Sequence, residues 1–452
     1  MSPQVLGLFK PLLRFAKSST NASALLFIAA ILAMILANSP YNEWYQNALA
    51  HPVVVRISSF NVFSHNGHYM SMLEFVNDAL MAVFFFVVGL EIKREILVGE
   101  LSSFRKAILP IIAALGGMVV PVLVYYFVCN QAPGSRGMAI PMATDIAFAL
   151  GVLSLLGRRV PLSLRIFLTA LAVVDDIGGI LIIALFYSGA IAYKFLFIAF
   201  ALLILLYVGN KFRVSSKIFY YLIGFFVWIL FLESGIHPTI AGVLVAFTVP
   251  ARPKINLESF VVGMKDALDK LRSAPEQQND KATVLTHAQI HTLKEIEWRA
   301  DRAISPLQDM VDDLEPFVNY LVLPLFAFVN AGITISSITL DALMGVSLAV
   351  FLGLVVGKTI GIYTFTYIFI KLKLVRMPSG LNKQMLLAVS MLGGIGFTVA
   401  LFIANLSFVD SAGSAELLNQ AKIGVFSGSL ISGLMGYFML KRVLPKEESI
   451  EV

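Results

Sequence analysis

The chain has 452 residues, 58% of them hydrophobic and only 14% charged, and its mean hydropathy of +0.83 excludes an ordinary soluble domain. A net charge of +6, from 34 Lys and Arg against 28 Asp and Glu, belongs in so apolar a chain to cytoplasmic loops rather than to a nucleic-acid interface. One cysteine, Cys129, leaves no internal disulfide, and no Cys/His spacing suggests a structural zinc, so no cofactor is expected.

The fold class expected is an all-α polytopic membrane protein. At about 20 apolar residues per span, twelve spans follow one another near 22–38, 72–90, 107–128, 138–156, 162–187, 195–209, 218–233, 237–250, 316–334, 343–370, 384–406 and 421–440. Lys10, Arg14 and Lys17 precede the first, but no small-residue cleavage site follows, so 22–37 reads as a retained helix and not as a signal peptide. An even number of spans puts both termini on one side. With that side inside, 29 basic residues fall in inside segments and only Arg56, Arg136, Lys194 and Lys422 outside, while Lys358 falls within a span. The positive-inside rule then makes both termini cytoplasmic.

Two connections exceed what a link requires. Outside, "VVVRISSFNVFSHNGH" (53–68) reads either as a short hairpin or as an unstructured loop. Inside, residues 251–315 are polar and mixed in charge, with helix formers, and are expected to make a solvated helical excursion. The chain so divides into an eight-helix part (1–250), the polar insertion (251–315), a four-helix part (316–440) and a cytoplasmic tail (441–452).

Four charges interrupt the apolar spans: Asp145 in "PMATDIAFALG", Asp175 and Asp176 in "AVVDDIGG", and Lys358 in "LVVGKTIGI". A charge at the bilayer centre costs about 2.5 to 3.5 kcal/mol, so such residues persist mainly where they line a polar cavity. Pairing of one aspartate with Lys358 as a structural salt bridge accounts for one carboxylate at most. Adjacent aspartates project about 100° apart on a helix, and Gly179, one turn on, offers a small face for the close approach of another backbone. Two carboxylates about 6 Å apart repel by roughly 3 kcal/mol at an effective dielectric near 20. Such a pair either holds protons or, once deprotonated, binds a small hard cation.

Glycine and proline add a second signal. Span 4 opens with Pro141 and carries Thr144 and Asp145 in mid-segment, and span 11 contains "MLGGIGFTVALF" with Gly393, Gly394 and Gly396. The two occupy matching places in spans 3–5 and 10–12, the pattern of an inverted repeat whose broken helices 4 and 11 cross at the midplane. Half-helix ends inside the membrane carry partial charges that Asp145 and Lys358 are suited to offset. For Asp145, dipole compensation and direct contact with an ion both stand open.

The blocks "GLEIKREILVGEL", "AIPMATDIAFALGVLSLLG", "LAVVDDIGG", "SGIHPTIAGVLV", "LPLFAFVNAG", "VVGKTIGI" and "GGIGFTVALFIA" run in order from the second span to the eleventh. In them the chain resembles the NhaA-type sodium/proton antiporters. The resemblance implies a homodimeric, multi-pass protein of the bacterial inner membrane, the outward hairpin serving as dimer contact. It would be an electrogenic antiporter, not an enzyme, exporting cytoplasmic Na+ or Li+ for external H+ in sodium and pH homeostasis. Asp175 and Asp176 become the transport carboxylates, with Asp176 the principal sodium ligand, Lys358 the partner of Asp175 in the sodium-free state, and Thr144 and Asp145 part of the span-4 crossing. It further implies activation at alkaline pH through Glu91, Lys93, Arg94 and Glu95 at the cytoplasmic funnel, and through His237. One departure stands out: where the family carries histidines before the proline of span 9, this chain has Asp312, Asp313 and Glu315.

Other functions fit the residues less well. A sodium-coupled symporter of related fold is the alternative, but it needs a large solute cavity lined by Asn and Gln rather than clustered carboxylates with a lysine. An intramembrane hydrolase needs a motif such as G-x-G-D or H-E-x-x-H, and neither occurs. A channel needs a ring of pore-lining carbonyls, whereas the midplane site here offers charged groups that must bind and release.

Overall fold

A computed structural model describes residues 19–445 except 58–59, 62, 66–67, 188, 190, 274–285, 335–342, 379 and 409–412. Lys10, Arg14, Lys17, the middle of the polar insertion and the tail beyond residue 445 lie outside the described residues.

α1 (Ser19–Ala37) turns by 116° into α2 (Asn42–Ala50). Asn38 stops α1 by donating its side-chain amide to Met34 O at 2.8 Å and to Ile333 O at 2.7 Å. Two short antiparallel ribbons follow, β1 (Arg56–Ile57) with β2 (Phe60–Asn61) and β3 (Ser64–His65) with β4 (His68–Tyr69). They lie in the stretch left open between hairpin and loop.

α3 (Met72–Val98) starts from a capping box at Ser71 and Glu74 and carries a π turn at Phe75–Leu80. α4 (Phe104–Val128) is the next long helix. A 3-10 segment (Gly134–Met142) and α5 (Ile146–Ser154) then form a pair bent by 43°. α6 (Leu162–Phe186), α7 (Tyr193–Lys211), α8 (Lys217–Ser234) and the short α9 (Thr239–Thr248) complete the first part.

α10 (Leu257–Ser273) and α11 (His287–Ala303) pack against each other in the polar insertion. On α11 the Arg299 guanidinium, 2.9 Å from Glu295, holds that carboxyl below its usual range. α12 (Pro306–Phe317) runs through a π turn (Val318–Val322) into α13 (Leu323–Asn330). α14 (Val346–Lys371) follows, then α15 (Lys383–Leu392) and α16 (Phe397–Phe408), bent by 45°, and finally α17 (Ser414–Val443).

The protein is therefore an all-helical, multi-pass membrane protein apart from the two ribbons. Among the described residues seven helices are long and apolar enough to cross a bilayer, or ten segments if each bent pair is one span. The two expected spans outside that set have physical reasons. Residues 237–250 yield a helix of ten residues, about 15 Å long at 1.5 Å per residue. Residues 316–334 are diluted by Asn319 and Asn330, and the helix ends at Asn330.

Small residues let the helices meet. A Cβ added at Gly116 would lie 2.3 Å from Gly361 O, and one added at Gly361 would lie 2.1 Å from Gly116 O, so α4 and α14 touch backbone to backbone. The close approach expected at Gly179 is not there: a Cβ at that position would meet nothing within 4 Å. Contact falls instead at Gly178, where a Cβ would sit 2.1 Å from Met118 Sδ. The flexible methionine fills one side of α6 and leaves the other open.

Candidate functional site

The two breaks bring the polar residues together. A chain leaving a 3-10 segment at Met142 and re-entering a helix at Ile146 leaves bare N–H groups at the new N-terminus. Asp145 is the N-cap there, its Oδ1 accepting from Phe148 N at 2.9 Å. Its Oδ2 accepts from Thr398 N at 3.0 Å and from Thr398 Oγ1 at 2.6 Å, in the first turn of α16. Asp145 N also donates to Ile395 O at 2.7 Å. One carboxylate thus faces the positive ends of two half-helices. Ser429 of α17 completes the second cap, accepting from Gly396 N at 3.2 Å and Phe397 N at 3.1 Å.

One residue earlier, the Thr144 hydroxyl lies 2.6 Å from Asp175 Oδ2 and 2.9 Å from Gly393 O, and accepts from Lys358 Nζ at 2.8 Å. Lys358 also pairs directly with Asp175 Oδ2. Asp175 Oδ1 is buried and has no hydrogen-bond partner among the described residues. Asp176 is 5% exposed, and no hydrogen bond or ion pair to it is found among the described residues. Asp176 lines a cavity of about 260 Å³ that also reaches Glu91, Arg94, Glu95, Thr144, Asp145 and Glu315.

Residues 13–440 match the family described as Na+/H+ antiporter 1. The chain belongs to this family. It is 63% identical to the Na(+)/H(+) antiporter NhaA of Parabacteroides distasonis over 98% of both chains. Against the Na(+)/H(+) antiporter NhaA of Bacteroides fragilis it is 55% identical over 96% of this chain and 98% of that one. Against Na(+)/H(+) antiporter NhaA 2 of Syntrophotalea carbinolica it is 42% identical over 96% of both.

For this member of the Na+/H+ antiporter 1 family, the charges tied by resemblance to pH control are not gathered in one place. Glu91, Arg94 and Glu95 line the cavity. Lys93 turns away to the C-terminal end of α9, donating to Phe247 O at 2.6 Å and to Val249 O, where a cation offsets the helix dipole. His237 stands elsewhere, its Nδ1 2.8 Å from Thr239 Oγ1 and its Nε2 3.7 Å from Asp78 Oδ1. Of the acidic residues just before Pro316, Glu315 lines the cavity, whereas Asp313 holds Lys217 at 2.6 Å together with Asp309 at 2.7 Å. Thr398 and Ser429 also belong to the site, with no charge in the sequence to mark them. A hydroxyl residue just past the "GGIG" break is the signal that points to Thr398.

Proposed function

We propose that this protein is an electrogenic antiporter of the bacterial inner membrane that exports cytoplasmic Na+ or Li+ in exchange for external H+, serving sodium and pH homeostasis. The observation that carries the reading is the contrast between neighbours: Asp175 is engaged by Lys358 and Thr144, while Asp176 stands unpartnered at the wall of a cavity. A dehydrated cation entering that cavity meets Asp176, and the neighbouring Asp175 keeps a buried Oδ1 with no hydrogen-bond partner among the described residues. Thr144, backbone carbonyls and water would complete its oxygen shell.

In this mechanism Na+ binds Asp176, draws Asp175 away from Lys358, and displaces the protons that the pair holds in the other phase of the cycle. Two carboxylates can hold more protons than one Na+ replaces, so each cycle carries net charge. Each elementary charge crossing is worth about 2.3 kcal/mol per 100 mV, and an inside-negative potential then drives sodium export. Asp145 acts through its two caps by keeping the broken helices assembled. The reading includes twelve spans, with both termini cytoplasmic, an inverted repeat of spans 3–5 and 10–12 crossing at the midplane, and a homodimer joined by the outward ribbons. It also includes pH control centred on Glu91, Arg94 and Glu95 with contributions from Lys93 and His237. The relatives, each named a Na(+)/H(+) antiporter, support the exchange of Na+ and H+.

The test is 22Na+ flux and dissipation of a pH gradient in everted vesicles, with Na+, Li+ and K+ compared across pH. Na+-dependent proton release with no response to K+ is expected. Sodium movement that needs a co-solute and no proton flow would favour a sodium-coupled symporter.

A further inference from the structure

The cavity beside Asp176 opens among residues that the positive-inside reading puts in the cytoplasmic half, and on that reading a cation leaving the pair has the outward half still to cross. Two features mark that half. Gly179, one turn beyond the pair on α6, is buried, yet a Cβ there would touch nothing within 4 Å. Space therefore adjoins the pair on its outward side. On α16, Thr398, Phe402 and Asn405 fall four and seven residues apart and share one face. Asn405 lies about 10 Å beyond Thr398 at 1.5 Å per residue.

Phe402 fills the interval. It is fully buried, with its ring 5.4 Å from that of Phe85, 6.3 Å from Phe326 and 5.3 Å from His237. Past it, amides from three helices converge. Asn405 Nδ2 donates to Asn330 Oδ1 at 2.7 Å, Asn77 Nδ2 donates to the same oxygen at 3.3 Å, and Asn330 Nδ2 returns a bond to Asn77 Oδ1 at 2.8 Å. Asn405 Oδ1 accepts no hydrogen bond among the described residues. Asn77 sits in the π turn of α3, next to Asp78, and such turns are frequent at functional sites.

We infer that Asn77, Asn330 and Asn405 form a second, outward station for the transported alkali cation, closed off from the aspartate pair by Phe402. The inference rests on the antiport reading. Amide oxygens are hard, neutral donors: they can replace water around Na+ or Li+ and still release it, as a transit site requires. They do not titrate, so the station serves the cation and not the proton. Opening it means moving the Phe402 ring aside and turning the amide oxygens from their Nδ2 donors to the ion. The rival role is interhelical adhesion, the common use of buried amides in membranes.

Sidedness separates the two. Wild type and Asn405→Ala are compared in right-side-out and everted vesicles, with Na+ applied to the exposed face and proton counterflow read by a pH dye. Loss of one oxygen from a cation site should weaken apparent Na+ affinity from the outward face about tenfold, with affinity from the cytoplasmic face and the pH profile unchanged. Asn405→Asp should tighten outward Na+ affinity. Equal weakening from both faces, or unchanged affinity with lowered thermal stability alone, overturns the inference and leaves adhesion. If Asn405→Ala does not accumulate, Asn77→Ser reads the same ratio of affinities. A wild-type protein with no Na+-linked proton flow from either face would instead sink the antiport reading.

Discussion

Lys358 reaches Asp175 twice, once directly and once through the Thr144 hydroxyl, and none of the three side chains is more than 2% exposed. Breaking a buried pair by removing one partner costs about 3 to 5 kcal/mol, because the other charge is left without a counter-ion. Asp175→Asn should therefore lose thermal stability together with transport, as followed by thermal unfolding in detergent. The double variant Asp175→Asn/Lys358→Gln should recover part of the stability and none of the transport. A single variant as stable as wild type would show that the pair does not hold these helices together.

Asp176→Asn poses the opposite case. No partner is lost, so expression and melting temperature should stay close to wild type. Exchange should nevertheless vanish, since an amide carries no transferable proton and offers one neutral oxygen to the ion. Residual Na+-dependent dequenching near the wild-type level would remove Asp176 from the mechanism.

Asp145 supports two helix starts at once. A lost N-cap costs about 0.5 to 2 kcal/mol, so Asp145→Ala should destabilise by about 1 to 4 kcal/mol. Asp145→Asn, which keeps one acceptor oxygen, should do less harm. Equal melting temperatures for Asp145→Ala and wild type would mean that other groups supply the caps.

Competition between ions sets the pH dependence. If Na+ displaces protons from Asp175 and Asp176, lowering the pH raises proton occupancy, and the apparent Na+ affinity must fall. The loss is up to tenfold per pH unit for each proton released, levelling off where the pair is already deprotonated. Currents on a solid-supported membrane, taken at several pH values and Na+ concentrations, measure this directly. An affinity independent of pH throughout the acidic range would mean that the two ions use separate sites.

The charged core of the site was legible because Asp145, Asp175, Asp176 and Lys358 interrupt apolar runs, where chance does not keep charges. The glycines of "GGIG" and Pro141 marked the breaks for the same reason: each weakens a helix that the membrane otherwise enforces. What escaped depends on which way a side chain turns. Lys93 closes "GLEIK" and reads as part of a funnel, yet it faces α9. Gly179 reads as a contact face and borders space. Thr398, Ser429 and Asn405 are small polar residues of an ordinary kind, and only packing across distant helices shows that two of them complete caps and the third joins an amide cluster.

The shared cap at Asp145 also constrains how the protein can move. Because one carboxylate and one backbone N–H tie α5 to the start of α16, neither half-helix can be withdrawn alone without breaking the bonds that cap both. Any switch between inward and outward access must carry both as a single pivot, with the rearrangement displaced to their far ends and to the long helices that flank them. Cross-linking α5 to α16 near the break should accordingly leave turnover intact, whereas a cross-link from either one to a flanking helix should arrest it.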